Sequence, residues 1–304
     1  MTEHRLELGA DTVTDVFDRD RPPVLTVDPG DTLIVRSLNA NGHTGGDRHS
    51  EQLIPEARGH CLTGPIAVCG AEPGMVLAVR LESLQPDGWG FTVAGGRDTP
   101  LNRRLGVHGD EPVWLHWDIA DGKAVNNLGF GVRLAPFLGV IGLPPAEPGE
   151  HSTIPPRAGG GGNIDCRELV AGSTLFLPVT VPDALLCLGD GHGAQGDGEV
   201  CGTAVECGMT TRLVLELVPE PPIRTVHATT PAGWVTFGFD ADLNEASAQA
   251  LSAMLDWMAA RYGVDRATAL ALASPAVDLR VTQIANQVWG VHAVLPEDAL
   301  RQGE

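Results

Sequence analysis

Between Leu188 and Glu206 the chain reads LGDGHGAQGDGEVCGTAVE, a glycine-laden loop that concentrates Asp190, His192, Asp197, Glu199 and Glu206. A segment meant only to join two strands has no need of so many acids beside an imidazole. The glycines let a loop backbone take positive φ and approach a ligand closely, at an entropic cost to folding. A divalent cation would order such a loop. Carboxylate oxygens and a neutral imidazole nitrogen are its natural ligands, and its charge offsets the repulsion among the acids. Asp190 and His192 lie two positions apart, so in an extended segment both face one side and can meet one ion. The plainer alternative is an aspartate bonded to its own loop amides beside an exposed histidine. Glu199, at a glycine turn, is the candidate base for a nucleophilic water, and its plainer role is a solvated turn carboxylate. Asp197 is expected to support a turn. Glu206 is expected on the following strand, satisfied by a backbone or arginine partner.

Two other segments carry chemistry. PPRAGGGGNIDCRELVAGS holds Asn163 and Asp165. Asp165 can supply another metal oxygen and Asn163 a side-chain N–H for a developing oxyanion, against the turn and capping roles that such sequences also serve. GHCLTGPIAVCGAEPG places His60 ahead of an apolar run, as a third imidazole ligand, a substrate contact or an ordinary hydrogen-bonding residue.

The elements that must position these residues read as short strands. Up to about residue 220, brief apolar alternations bounded by Pro and Gly dominate. Three openings resemble one another: DPGDTLIVR from Asp28, EPGMVLAVRL from Glu72 and VAGSTLFLPV from Val170, each a glycine turn followed by alternating apolar residues. Residues 86–165 are rich in Gly and Pro and read as strands separated by long loops. After Pro221 the pattern changes. Ala246, Ala250, Leu251, Met254, Leu255 and Met258 form one stripe of a helix over Asn244–Tyr262, ended by Gly263. Asp265 is the N-cap of a second helix through Leu272, a third amphipathic segment spans Val277–Val288, and GVHAVLP is a last strand. The expected fold is therefore mainly β: a sandwich- or barrel-like body of many short strands over residues 1–220, with a smaller α+β part over 221–304.

Composition narrows the partners. The chain has 304 residues, 43% of them hydrophobic, enough for one large or two modest cores. A net charge of −19 repels phosphate backbones and anionic lipid, so neither nucleic acid nor a membrane is expected as a partner. No apolar run is long enough to span a bilayer, and the N-terminus lacks a basic segment followed by an apolar core, which predicts a cytoplasmic protein. The six cysteines show no CxxC pairing and are expected to be reduced thiols.

Taken in order, TGPIAVCGAEPGMVLAV, FLGVIGLPP, GGNIDCRELVAGSTLFLPVTVPDALLCLGDGHGAQGDGEVCGTAVE and SPAVDLRVTQIANQVWGVHAVLP resemble the acetamidase/formamidase family of amide hydrolases over nearly the whole chain. The most specific part is the GGN-x-D segment followed by the G-D-x-H…QGDGE loop. The resemblance implies hydrolysis of short linear amides to a carboxylate and ammonia, a homo-oligomer (dimer or tetramer), and a divalent metal ion near the Asp/His loop. Zn2+ is the first choice for that ion, with Ca2+ or another divalent ion as alternatives. Matched motif to motif, Asp165, Asp190 and His192 would form the metal shell. Glu199 would be the acid/base. From the residues themselves, Asn163 and His192 are expected to complete the catalytic group, with His60, Gly162 and Gly198 beside a small neutral amide. Two positions depart from the family pattern: Gly160, where many members have His, and Asn39, where an Asp is common. If Asn39 replaces a carboxylate ligand the site carries one negative charge fewer, for which His43, His49 or His60 would compensate.

Two other functions compete. Cys166 or Cys201, activated by His192, would give a thioester mechanism, although nearby carboxylates suppress a thiolate. A cation that only orders the loops would give a non-catalytic binding protein.

Overall fold

Sequences that alternate apolar and polar residues become strands with one buried face, and Thr32–Ser37 and Thr174–Pro178 show that alternation in their burial. In the computed structural model, which describes residues 2–109 and 111–301, the three similar openings all lead into one nine-stranded sheet. Val76–Pro86 pairs antiparallel with Thr174–Pro178 on one side and Met209–Val218 on the other, and Met209–Val218 pairs in turn with Thr32–Ser37. Leu62–Val68, Phe137–Gly142 and Leu186–His192 are instead buried along their whole length. They lie in a second, eleven-stranded sheet. One apolar cluster draws Leu33, Val35, Leu77 and Val79 from the first sheet and Phe137, Ile141 and Leu188 from the second, so the sheets pack face to face. The fold is mainly β with a small helical part, as expected.

The nine-stranded sheet continues past residue 220, because Thr174–Pro178 also pairs with His227–Thr230, and that strand with Gly233–Asp240. On these later strands lies helix Leu243–Tyr262, capped by Asp242 and closed by Gly263 in the left-handed conformation. Helix Arg266–Ala273 follows, with the Asp265 side chain accepting from Thr268 N. Ala246, Ala250, Met254, Leu255 and Met258 form the buried stripe, within a second apolar cluster shared with Val291 and Leu295.

Two segments differ from expectation. Val277–Val288 forms a strand over Asp278–Gln283, hydrogen-bonded to Trp289–Leu295, so sheet pairing overrides its local amphipathic spacing. The Gly/Pro-rich region contains a short helix, Pro100–Leu105, started by a Thr99 cap and a proline in its first turn. No described helix is long and apolar enough to cross a membrane.

Candidate active site

Strand Leu186–His192 has Phe137–Gly142 on one side and, on the other, Leu62–Val68 followed by Glu206–Cys207. Asp190 and His192 thus sit on a fully buried strand rather than in the loop expected for them; the loop begins only beyond His192. His192 is register partner to both Phe137 and Glu206, so all three side chains share one sheet face. The Phe137 ring meets the imidazole edge-on, with centroids 5.0 Å apart. His192 Nε2 lies 3.4 Å from Asp190 Oδ1 and 3.3 Å from Glu206 Oε1. The donor atoms of Asp165 and Glu199 also come within 4.8 Å of one another and of His192.

Space for this convergence comes from Gly139. A Cβ there would lie 2.5 Å from Asp190 Oδ2, 2.6 Å from Asp165 Oδ1 and 2.9 Å from His192 Cε1. Asp165, Asp190 and Glu199 all adopt positive φ, at 52°, 60° and 41°. That conformation costs a non-glycine residue about 1–3 kcal/mol and persists only where the surroundings impose it.

Asp165 Oδ1, Asp190 Oδ1, His192 Nε2, Glu199 Oε2 and Glu206 Oε2 are buried without a hydrogen-bond partner. Orphaned polar atoms of this kind are expensive, and four carboxylates around one imidazole repel one another. The donor set fits a divalent cation, which would satisfy the orphaned atoms and offset the charge. The protonation preferences carry the same strain. Burial pushes Asp165 well above the usual carboxylate range; burial and then the neighbouring Asp165 do the same to Glu199; burial also raises Glu206. Burial would likewise raise Asp190, but His192 and His60 hold it below that range. Burial disfavours the His192 cation, yet Glu206 and Asp190 outweigh it and raise His192 well above an ordinary histidine.

A cavity of about 180 Å³ adjoins the cluster, lined by Gln195, Asp197, Glu199, Cys201 and neighbours on the same loop, with Thr92 from a separate strand. Glu199 belongs to both the cluster and the cavity wall. Asp197 is exposed and stands outside the cluster.

The other expected residues are placed as follows. His60 is at the site: its Nε2 is 3.9 Å from Asp190 Oδ2, while Thr153 Oγ1 holds its Nδ1 at 3.1 Å. Asn163 is not. Its register partner is Val140, an odd number of residues from Phe137, so Asn163 sits on the sheet face opposite His192. Its Nδ2 also donates to the Ile154 carbonyl, and this placement does not support the oxyanion role expected of it. Gly162 pairs with Ile141 within the sheet, and Gly198 bridges to Gln283 while its N–H donates to the Thr282 carbonyl. Both glycines serve backbone pairing, and neither lines the cavity. Asn39 is buried and its Oδ1 accepts from His43 N, while the His43 ring packs against Phe91. His43 and His49 belong to neither donor group. Cys166 is buried, which pushes its thiol up, and the exposed Cys201 thiol donates to the Thr203 carbonyl. Neither is placed as an activated nucleophile. All six cysteines are free thiols.

Two contributors escape sequence reasoning. Glu206 has the backbone partner expected, Ala204 N at 2.8 Å, yet its side chain also closes the cluster. Gln195 bonds both His192 and the Asp165 backbone; its only sequence signal is its place in the QGDGE motif.

The chain matches the sequence model of the acetamidase/formamidase family over residues 3–151 and 146–300. It is 27% identical over 262 residues to an acetamidase of Mycolicibacterium smegmatis, covering 66% of this chain and 64% of that protein. A formamidase of Methylophilus methylotrophus is 27% identical over 246 residues, covering 62% and 60%. These alignments therefore span less than two thirds of the relatives' own length. The crystal structure of an acetamidase from Bacillus halodurans superposes with a TM-score of 0.85 at 27% identity, covering 97% of each chain.

Proposed function

This chain belongs to the acetamidase/formamidase family, and on that premise we propose that it hydrolyses the C–N bond of a short, neutral linear amide to a carboxylate and ammonia. The observation that carries this reading is the convergence of orphaned Asp165, Asp190, His192, Glu199 and Glu206 atoms beside a small cavity. Asp165, Asp190 and His192 would hold a divalent cation, with Glu206 closing the shell. An imidazole among the donors favours Zn2+ over Ca2+, which prefers an all-oxygen shell. Bound there, the cation would supply Lewis acidity toward the amide carbonyl and the attacking water.

The chain's own residues supply the rest. Glu199, the cluster carboxylate that borders the cavity, takes the proton of the attacking water and returns it to the departing nitrogen. His60 stands at the edge beside Asp190, where it can orient the substrate. A cavity of about 180 Å³ is below the usual range for drug-sized ligands and suits a small acyl group. A small substrate brings little remote binding energy, so rate enhancement falls to the preorganised charges of the cluster.

Self-association accompanies this reading as a dimer or tetramer. Large apolar side chains stand exposed on the segment that carries Leu105, Val113, Leu128 and Phe130, Phe130 at 68%. If these side chains form one patch in the fold, such a surface is suited to a contact between copies of the chain.

Ammonia release from formamide, acetamide and longer amides, with and without chelation and metal add-back, tests the proposal. Release that chelation abolishes and metal restores supports it. No release from any amide by fully metallated protein leaves the cation an ordering role and removes the hydrolase.

A further inference from the structure

An amide side chain offers one acceptor oxygen and a donor NH2, and the surroundings of Gln195 decide which end faces which neighbour. The Asp165 carbonyl oxygen only accepts, and Gln195 Nε2 donates to it at 2.7 Å. Turning the amide over would set two oxygens against each other. Gln195 Oε1 therefore faces His192 Nδ1 at 3.0 Å, and because that oxygen only accepts, Nδ1 must carry the hydrogen. A neutral ring then presents its lone pair at Nε2, the atom set between Asp190 Oδ1 and Glu206 Oε1 with no hydrogen-bond partner. A lone pair facing two carboxylate oxygens is repulsive until a positive charge stands among them.

We propose that Gln195 is a positioning residue that fixes His192 with its hydrogen on Nδ1 and its Nε2 lone pair directed at Asp190 and Glu206, while tying that ring to the Asp165 backbone. The assignment rests on the cation reading given above. Its physical content is that one uncharged side chain sets both the ring orientation and the spacing of two shell residues drawn from separate segments. A ligand histidine whose other nitrogen is held in this way binds metal more tightly, and losing such a partner typically costs about 10- to 100-fold in affinity. Glutamate at this position keeps the acceptor for Nδ1–H but sets a carboxylate oxygen, free to rotate away, where Nε2 donated to the Asp165 carbonyl, whereas leucine loses both contacts.

The test is Zn2+ affinity, measured by competition with a chromophoric chelator on the wild type, Gln195→Leu and Gln195→Glu. Imidazole 15N spectra of the zinc-loaded proteins accompany it, with His192 assigned by its absence from the His192→Ala spectrum. We expect about 10- to 100-fold weaker Zn2+ binding in Gln195→Leu, within a few-fold of wild type in Gln195→Glu, and a protonated Nδ1 with a metal-bound Nε2 on His192 in the wild type. Wild-type affinity in Gln195→Leu overturns the assignment. So does an equal loss in both variants, which is what a merely structural residue would give, or a wild-type spectrum with the hydrogen on Nε2. None of these readouts involves an amide. A protein that shows the expected pattern yet hydrolyses nothing keeps the Gln195 assignment and loses the hydrolase reading.

Discussion

Glu199 combines features that suit it to the proton transfer proposed for it: it is buried, its Oε2 is unpartnered, its φ is positive, and among the cluster residues it alone lines the cavity. Glu199→Gln keeps the shape and removes the proton-accepting oxygen. We expect kcat on acetamide to fall by about 10²- to 10⁴-fold with KM little changed; kcat within threefold of wild type would remove Glu199 from the mechanism. His192→Ala is expected to abolish turnover while the circular dichroism spectrum stays native. Gly139→Ala tests the space itself, because the added methyl would sit 2.5 Å from Asp190 Oδ2 and 2.6 Å from Asp165 Oδ1. Overpacking of this kind costs about 1–3 kcal/mol. The more telling consequence is loss of Zn2+ binding, readable by the same chelator competition without any substrate. Undiminished binding in Gly139→Ala would mean the ion sits elsewhere.

At the scale of elements, the site depends on strands that hold position from both sides. Leu186–His192 is buried along its length because Phe137–Gly142 and Leu62–Val68 flank it, and its glycines admit close backbone neighbours. The helical part depends on a similar close approach. A side chain on Gly238 would run into the Ala246 carbonyl of helix Leu243–Tyr262, so that helix lies directly on the strand. Gly238→Ala is therefore expected to cost more than about 3 kcal/mol by lifting the helix, seen as a large drop in the urea midpoint. A midpoint near that of the wild type would show that the helix can shift without penalty. The helix itself was legible in the sequence from its stripe, its Asp cap and Gly263. Strand Asp278–Gln283 was not, because its pairing with Trp289–Leu295 outweighs a local spacing that also fits a helix.

For the whole molecule, two buried histidines set an acid limit. Burial lowers His227, stacked on Phe176, to about 4, and lowers His292, bonded to Thr282, to about 3. A histidine depressed in the folded state contributes stability that is fully present above its unfolded value, near 6.5, and that is lost as pH falls toward the folded value. His227→Phe keeps the stack and removes the proton. Between pH 7 and 5 the wild type should lose on the order of 2 kcal/mol more than this variant in urea unfolding; parallel losses would show that His227 does not stay neutral in the fold. The exposed apolar segment around Phe130 belongs to the same scale. Light scattering should find a dimer or tetramer, and Phe130→Asp should reduce its mass. A wild type that is monomeric at every concentration would refute self-association.

The information carried by the sequence alone is local. Alternation marked the strands, caps and stripe marked the helix, and the two-residue spacing of Asp190 and His192 put both on one side of any extended segment. The order of the motifs pointed to the family. Which distant residues join that pair depends on the folded chain. Strand register places Glu206 beside His192 and turns Asn163 to the opposite face, although both had equally plausible surroundings in the sequence. The return of the loop brings Gln195 and Glu199 to Asp165. The reason is that a strand's side chains change face at every residue, so membership of a site depends on pairings between segments far apart in the chain.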